Sequence, residues 1–204
     1  MFNDTLVFNS GGTVTVTNVS DQSINSLIIT NSGNYTFTGT TCYLSIRRLL
    51  QIDEGSQLNF SASVAGGIDY MDNTNVCEGR INGTLRLNGV TNYDGSFATT
   101  IVHGTIEQAG IYCAVVNSNA NPLTNFIFEA GSTYIHSRDG GNIPNANYKS
   151  NSNLLLSGIF LTAPFFGTNS NFGNFTFDAQ NSIVNSFNFL NNLDTIRNNL
   201  TILN

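Results

Sequence analysis

The residues able to do chemistry are few. The chain of 204 residues carries 13 Asp and Glu, 7 Lys and Arg and 2 His. The one carboxylate cluster in a long loop is "GIDYMDNTN", with Asp69, Asp72 and Asn73, while Asp53 and Glu54 straddle a corner. Such a group suits two chemistries. Hard oxygen ligands hold Ca²⁺, which takes roughly six to eight of them. Paired Asp side chains on one face act as general acid and base in glycoside cleavage. These three residues fall short of a full calcium shell, so solvated loop carboxylates are the simpler reading and no metal is expected. Calcium at Asp69, Asp72 and Asn73 is kept as the alternative.

A second group lies in "SRDGGNIPNANYKSNSN", residues 137–153, where Arg138, Asp139, Tyr148 and Lys149 combine two cations with an aromatic ring. A sugar-binding loop wants this mixture, a ring to stack on with charged and amide donors beside it. These four are the candidate ligand-binding residues. In the competing reading Tyr148 pins the segment to the protein body and Arg138 pairs with Asp139. The histidines do not make a metal pair, since His103 precedes a glycine and His136 follows one, and a shared site needs both on one face. His136 is expected inward or at a rim. The chain has no Gly-x-Ser-x-Gly, His-Glu-x-x-His or Cys-x-x-Cys, so no catalytic residue and no cofactor are expected.

Composition narrows the partners. Net charge is -6 and only 10% of residues are charged, while 32 Asn, 22 Thr and 19 Ser make the surface polar. The longest basic run is Arg47-Arg48, too little to neutralise a phosphate backbone or an anionic membrane. No window reaches the apolar length of a spanning helix. "MFNDTLVF" lacks the basic and apolar regions of a signal peptide, so any export signal is expected to be removed or to lie outside this chain.

The elements that must position these side chains repeat. "LVFNSGGTVTV", "LIITNSGNYTF", "LQIDEGSQLNF", "GRINGTLRL", "TIVHGTIEQ", "FIFEAGSTYIH", "LLLSGIFL" and "FTFDAQNSIV" share one plan: an alternating strand, a polar corner, and a second alternating strand. With Gly12, Gly33, Gly55, Gly83, Gly104, Gly131, Gly158 and Gln180 as markers, the steps are 21, 22, 28, 21, 27, 27 and 22 residues. A step of that size fits one coil of a parallel β-helix. Glycine serves the corner through positive φ or close backbone approach. Alternation sends Leu27, Ile29, Tyr35, Phe37, Leu50, Ile52, Leu58, Phe60, Phe126, Phe128, Tyr134, His136, Phe175 and Phe177 inward to stack coil on coil. The longer steps predict extruded loops within 63–79, 115–125 and 137–153. An antiparallel sandwich is the rival architecture, disfavoured because hairpin turns are few and the glycines keep one phase. The expected fold is an all-β, right-handed parallel β-helix of about eight coils, with 1–204 as a single domain.

Cys42, Cys77 and Cys113 cannot all pair. Cys42 and Cys113 each lie nine residues after a marker glycine, so they share a phase three coils apart. That is about 14 Å at one strand spacing per coil, beyond the reach of a disulfide. Three reduced thiols are expected.

From about residue 126 the stretches "YIHSRDGGNIPNANY", "LLLSGI", "NFGNFTFDAQNS" and "LDTIRNNLTI" resemble a recurrent block in very large secreted, adhesin-like proteins of Bacteroidetes. "TVTVTNVSDQSINSLIITNSGNYTFTG" is similar to the start of the same modules. Those proteins typically carry a C-terminal tail that sends them through the type IX secretion system to the cell surface. The resemblance covers most of the chain but rests on strand and corner signals. It implies a β-helix, a secreted or cell-surface location, and a module or fragment of a larger protein. The chain departs from the family at Tyr148 and Phe177, where Trp is usual, and the sorting tail is missing.

Two functions follow as expectations. The first is a non-catalytic structural or adhesive module, binding extracellular polysaccharide or other cell-surface components through loops or polar faces, and associating end to end. Nucleic acid and membrane insertion are excluded. The alternative is a polysaccharide-active β-helix enzyme of the lyase or glycoside hydrolase type.

Overall fold

The computed structural model describes residues 4–70, 77–96, 98–110, 112–116, 125–166, 170–178, 180, 182–183 and 193–203. In chain order the strands are β1 (Thr5–Phe8), β2 (Thr13–Val16), β3 (Gln22–Ile29), β4 (Asn34–Ile52), β5 (Gln57–Tyr70), β6 (Cys77–Ile81), β7 (Thr84–Asp94), β8 (Ala98–Val102) and β9 (Thr105–Gln108). They continue as β10 (Ala114–Val116), β11 (Phe126–Phe128), β12 (Thr133–Ser137), β13 (Asn147–Tyr148), β14 (Asn153–Ser157), β15 (Ser170–Phe172), β16 (Asn174–Asp178), β17 (Leu193–Ile196) and β18 (Leu200–Leu203). Every pairing between named strands is parallel. The chain is a parallel β-solenoid, and no helix among the described residues is long and apolar enough to cross a membrane.

Each coil has up to three faces. On the first, β1 leads through the ends of β3 and β4 to β6, β8, β11 and β13. On the second, β2 leads through the starts of β4, β5 and β7 to β9, β12, β14, β16 and β18. The third runs from the start of β3 through the middle of β4 and the ends of β5 and β7 to β10. Strands as long as β4 and β5 bend at register shifts, at Gly39/Thr41 and Ala62/Gly66, and so serve two faces or more.

Alternation fills the interior with columns. One runs Val14, Tyr35, Leu58, Leu85, Ile106, Tyr134, Leu154, Phe175, Leu200. All of these except the end residues Val14 and Leu200 are buried. Each such side chain contributes about 1.5–3 kcal/mol by leaving water. The expected inward residues, from Leu27 to Phe177, are all buried.

The corner glycines work in two ways. At Gly131 φ is 85° and a β-carbon would meet nothing within 4 Å, so glycine is there for its backbone conformation. At Gly104 a β-carbon would lie 2.0 Å from the Gly83 carbonyl oxygen, so glycine is there because the coils approach too closely for a side chain.

The corner phase expected after Gly131 is corrected. Tyr134 pairs with Leu154, and Leu154 with Phe175, so β14 and β16 are second-face strands. Gly158 therefore follows its second-face strand, and the corner of that coil is at 149–152, where Asn151 takes the left-handed φ of 67°. The step from Thr133 to Asn153 is 20 residues, against 28 from Thr105 to Thr133 and 27 from Gln57 to Thr84. Residues 137–153 are thus ordinary coil, not an extruded loop. The two longer steps hold residues 71–76 and 117–124, which lie outside the described residues.

Candidate functional site

The segment expected to bind sugar forms the turn between the second and third faces and the first-face strand that follows. Tyr148 is buried, its ring stacked on Phe128 at 4.8 Å and set against Phe172 at 4.6 Å. Its hydroxyl donates to the Pro144 carbonyl at 3.1 Å, and burial pushes the phenol well above its usual range. The ring is a core element and has no free face for a sugar, which corrects the expectation of an exposed platform. Lys149 is half-buried, and its backbone N–H continues the coil ladder to Phe128.

Arg138 and Asp139 do not pair through their side chains. The Arg138 guanidinium donates to the Cys113 carbonyl at 2.6 Å and packs against Gly141, where a β-carbon would meet its Cζ at 2.9 Å. Asp139 reaches forward instead. Its Oδ1 accepts the backbone N–H groups of Phe160, Leu161 and Thr162, each at 2.8 Å. Partial desolvation opposes ionisation, but those three donors and the nearby Arg138 outweigh it and hold the carboxyl below its usual value.

Behind this turn lies a buried polar seam that the sequence reading did not find. His136 is fully buried beside Tyr134, and its Nε2–H donates to the Gly140 carbonyl at 2.6 Å. A carbonyl only accepts, which fixes the tautomer and leaves Nδ1 as a buried acceptor without a partner. Burial, reinforced by Arg138 and opposed by the Gly140 bond, lowers its pKa from 6.5 to about 4. Tyr134 donates to Gln108 Oε1 at 2.5 Å, and Gln108 Nε2 donates to the Cys113 carbonyl at 2.6 Å. Gln108 and His136 occupy the column that holds Leu87 and Leu156 in the neighbouring coils. Two polar residues in an otherwise apolar column were the available signal.

A second interior cluster joins Tyr70, Tyr93 and Thr100, with hydroxyl contacts of 3.1 and 2.8 Å. Gly79 makes room for it, since a β-carbon there would stand 2.7 Å from the Tyr93 hydroxyl. Burial pushes Tyr93 up to about 12, against the opposing bonds from Thr100 and Tyr70. Neither cluster presents an acid and a base to solvent; both close coils internally.

Among the calcium candidates, Asp69 is in register with Ser45 and Asp94 on the third face, and its Oδ1 is shielded without a hydrogen-bond partner. Asp72 and Asn73 lie outside the described residues. Among the described residues no three His, Cys, Asp or Glu side chains converge as a metal group. His103 is exposed at a first-face corner, apart from His136 in the second-face interior. Cys42, Cys77 and Cys113 are free and buried.

Fold and interior together define a parallel β-solenoid in which, among the described residues, Arg138, Asp139 and His136 hydrogen-bond to its own backbone. In comparisons with known proteins, no family model, curated protein or solved structure matches the chain.

Proposed function

We propose that this chain is a non-catalytic structural or adhesive module of a secreted or cell-surface bacterial protein, which contacts neutral extracellular polymer through its polar faces. The observation that carries the reading is an outward row on the second face: Thr13, Asn34, Gln57, Thr84, Thr105, Thr133, Asn153 and Asn174. One hydroxyl or amide per coil gives donors and acceptors repeating at about 4.8 Å, a spacing suited to an extended polysaccharide. The row is also self-supporting. Asn174 donates to Asn153 Oδ1 and Asn199 to Asn174 Oδ1, each at 3.0 Å. Amide ladders of this kind stiffen stacked parallel strands.

Low charge, the abundance of Asn, Thr and Ser, and the resemblance to adhesin-like modules of Bacteroidetes support a location outside the cell. A glycan array, with sedimentation against insoluble polysaccharides, tests the binding. Retention on neutral glycans that is weakened by Thr84→Lys with Thr133→Lys supports the reading; no retention on any of them defeats it.

The second reading, a polysaccharide-active enzyme, draws on Asp69 and Asp94 lying in register on one face with an unpartnered Asp69 oxygen. Release of reducing ends or unsaturated products, abolished by Asp69→Ala, would establish it in place of the first.

A further inference from the structure

We propose that the turn joining the second and third faces at 137–143 is an acid-released latch: protonating His136 frees it from the preceding coil and uncovers the turn that holds Cys113. The inference is carried by how this turn is fastened and does not rest on the adhesive reading. Among the described residues, its backbone hydrogen bonds run forward to the next coil. Gly140 donates to Thr162, Ile143 to Phe165, and Phe165 to Gly141, at 2.8, 2.8 and 2.7 Å. Asp139 fastens the same side by accepting from Phe160, Leu161 and Thr162. Backward, the turn is held by one side chain, the Arg138 guanidinium on the Cys113 carbonyl. From inside, His136 holds it through the Gly140 carbonyl.

This enclosure suits a neutral imidazole and not a charged one. His136 is fully buried and its Nδ1 has no partner. Its register partners, Gln108 in the coil before and Leu156 in the coil after, carry no charge. The titratable and charged groups about it, among the described residues, are Tyr134, Cys113, Arg138 and Asp139. The one carboxylate among them turns its Oδ1 to the next coil, and the one cation repels a second positive charge. A proton on Nδ1 therefore adds a buried donor without an acceptor and a charge beside a guanidinium, and both costs vanish when the ring reaches water. Moving the ring out carries Arg138, two residues on, away from the Cys113 carbonyl. Asp139 is held below its usual value, so it stays ionised and the forward side stays fastened.

The open turn binds the proton near pH 6.5 and the closed turn near 4, so opening is favoured as pH falls. Between pH 7 and 4.5 the open population should rise about 50-fold.

Three buried thiols in three places make the opening measurable. A dipyridyl disulfide labels thiols in acid as well as at neutral pH, and each rate is divided by that of the unfolded chain at the same pH. Cys113 should be labelled about 50-fold faster at pH 4.5 than at pH 7, and well ahead of Cys42 and Cys77. His136→Gln keeps a donor for the Gly140 carbonyl but takes up no proton, and should abolish the rise. Arg138→Met removes the backward tie and should speed Cys113 labelling already at pH 7. One common rate for all three cysteines at pH 4.5 would mean that the whole chain unfolds, and overturns the latch. So does a rise that survives in His136→Gln, Cys113 labelling unchanged by Arg138→Met, or no rise at all.

Discussion

Cys42 and Cys113 stand in one interior column, with Gly66 and Thr91 between them. Cys42 pairs with Gly66, Gly66 with Thr91, and the Thr91 hydroxyl contacts Cys113 Sγ at 3.4 Å. Three strand steps hold the two thiols beyond disulfide reach. Cys77 is on another face, its Sγ donating to the Arg47 carbonyl at 3.0 Å. Burial, with Asp21 adding to it, pushes Cys42 up to about 11. Thiol titration of unfolded, unreduced protein should therefore find three groups. In the folded protein at neutral pH Cys42 should react far more slowly than in the unfolded chain. A single reactive group after unfolding would mean that a bridge exists.

The two kinds of corner glycine separate by substitution. Gly104→Ala forces a β-carbon against the Gly83 and Asn82 carbonyl oxygens, at 2.0 and 2.4 Å. Backbone must move there, and a loss of about 3 kcal/mol or more is expected, as for other severe overpacking. Gly131→Ala meets open space and bears only the left-handed backbone cost, about 1–2 kcal/mol. Urea unfolding should rank Gly104→Ala well below Gly131→Ala; the reverse order would mean that the coils do not approach at Gly104 as described.

Much of this architecture was legible in the sequence because the period is physical. Leu27, Tyr35, Leu58 and Phe126 announce the columns by alternation, and Gly33, Gly83 and Gly104 mark corners where backbones meet. Legibility failed after Gly131 for a specific reason. The corner at 149–152 uses Asn151 in place of glycine, and Asn tolerates the left-handed region better than other side chains do. A period tied to glycine runs from Gly131 to Gly158, 27 residues where the step from Thr133 to Asn153 is 20, and makes a loop of the first-face strand that ends at Tyr148. The alternation of Ala146 with Tyr148, both buried, was the signal that restores the phase. The Gln108 seam was harder to see, since one polar residue in an apolar column is recognised only once the register is known.

Acid should weaken the fold through His136. Its pKa falls from 6.5 to about 4 on folding, so between those values the unfolded chain binds the proton and the folded chain does not. Stability is full above pH 6.5, declines as pH falls, and has lost about 3 kcal/mol from this group near pH 4. Asp139, whose carboxyl is held low, adds a loss of the same sign at still lower pH. In His136→Leu, which suits a column continued by Leu156, the urea midpoint should change much less between pH 7 and 4.5. An unchanged pH slope in that variant would exclude His136 as the cause.

The Tyr134 to Gln108 bond couples two coils and is open to a double-mutant cycle. Tyr134→Phe leaves the buried Gln108 Oε1 without this donor, at a cost of about 1–3 kcal/mol. Gln108→Leu strands the Tyr134 hydroxyl and also withdraws one donor from the Cys113 carbonyl, which keeps Arg138 at 2.6 Å. Each single change therefore leaves an unsatisfied polar group. The double variant removes both partners and restores an apolar column between Leu87 and His136. Its loss of stability should fall short of the sum of the single losses by about 1 kcal/mol or more. Strict additivity in urea unfolding would show that the two side chains act independently, and the seam would not be a coupled lock between coils.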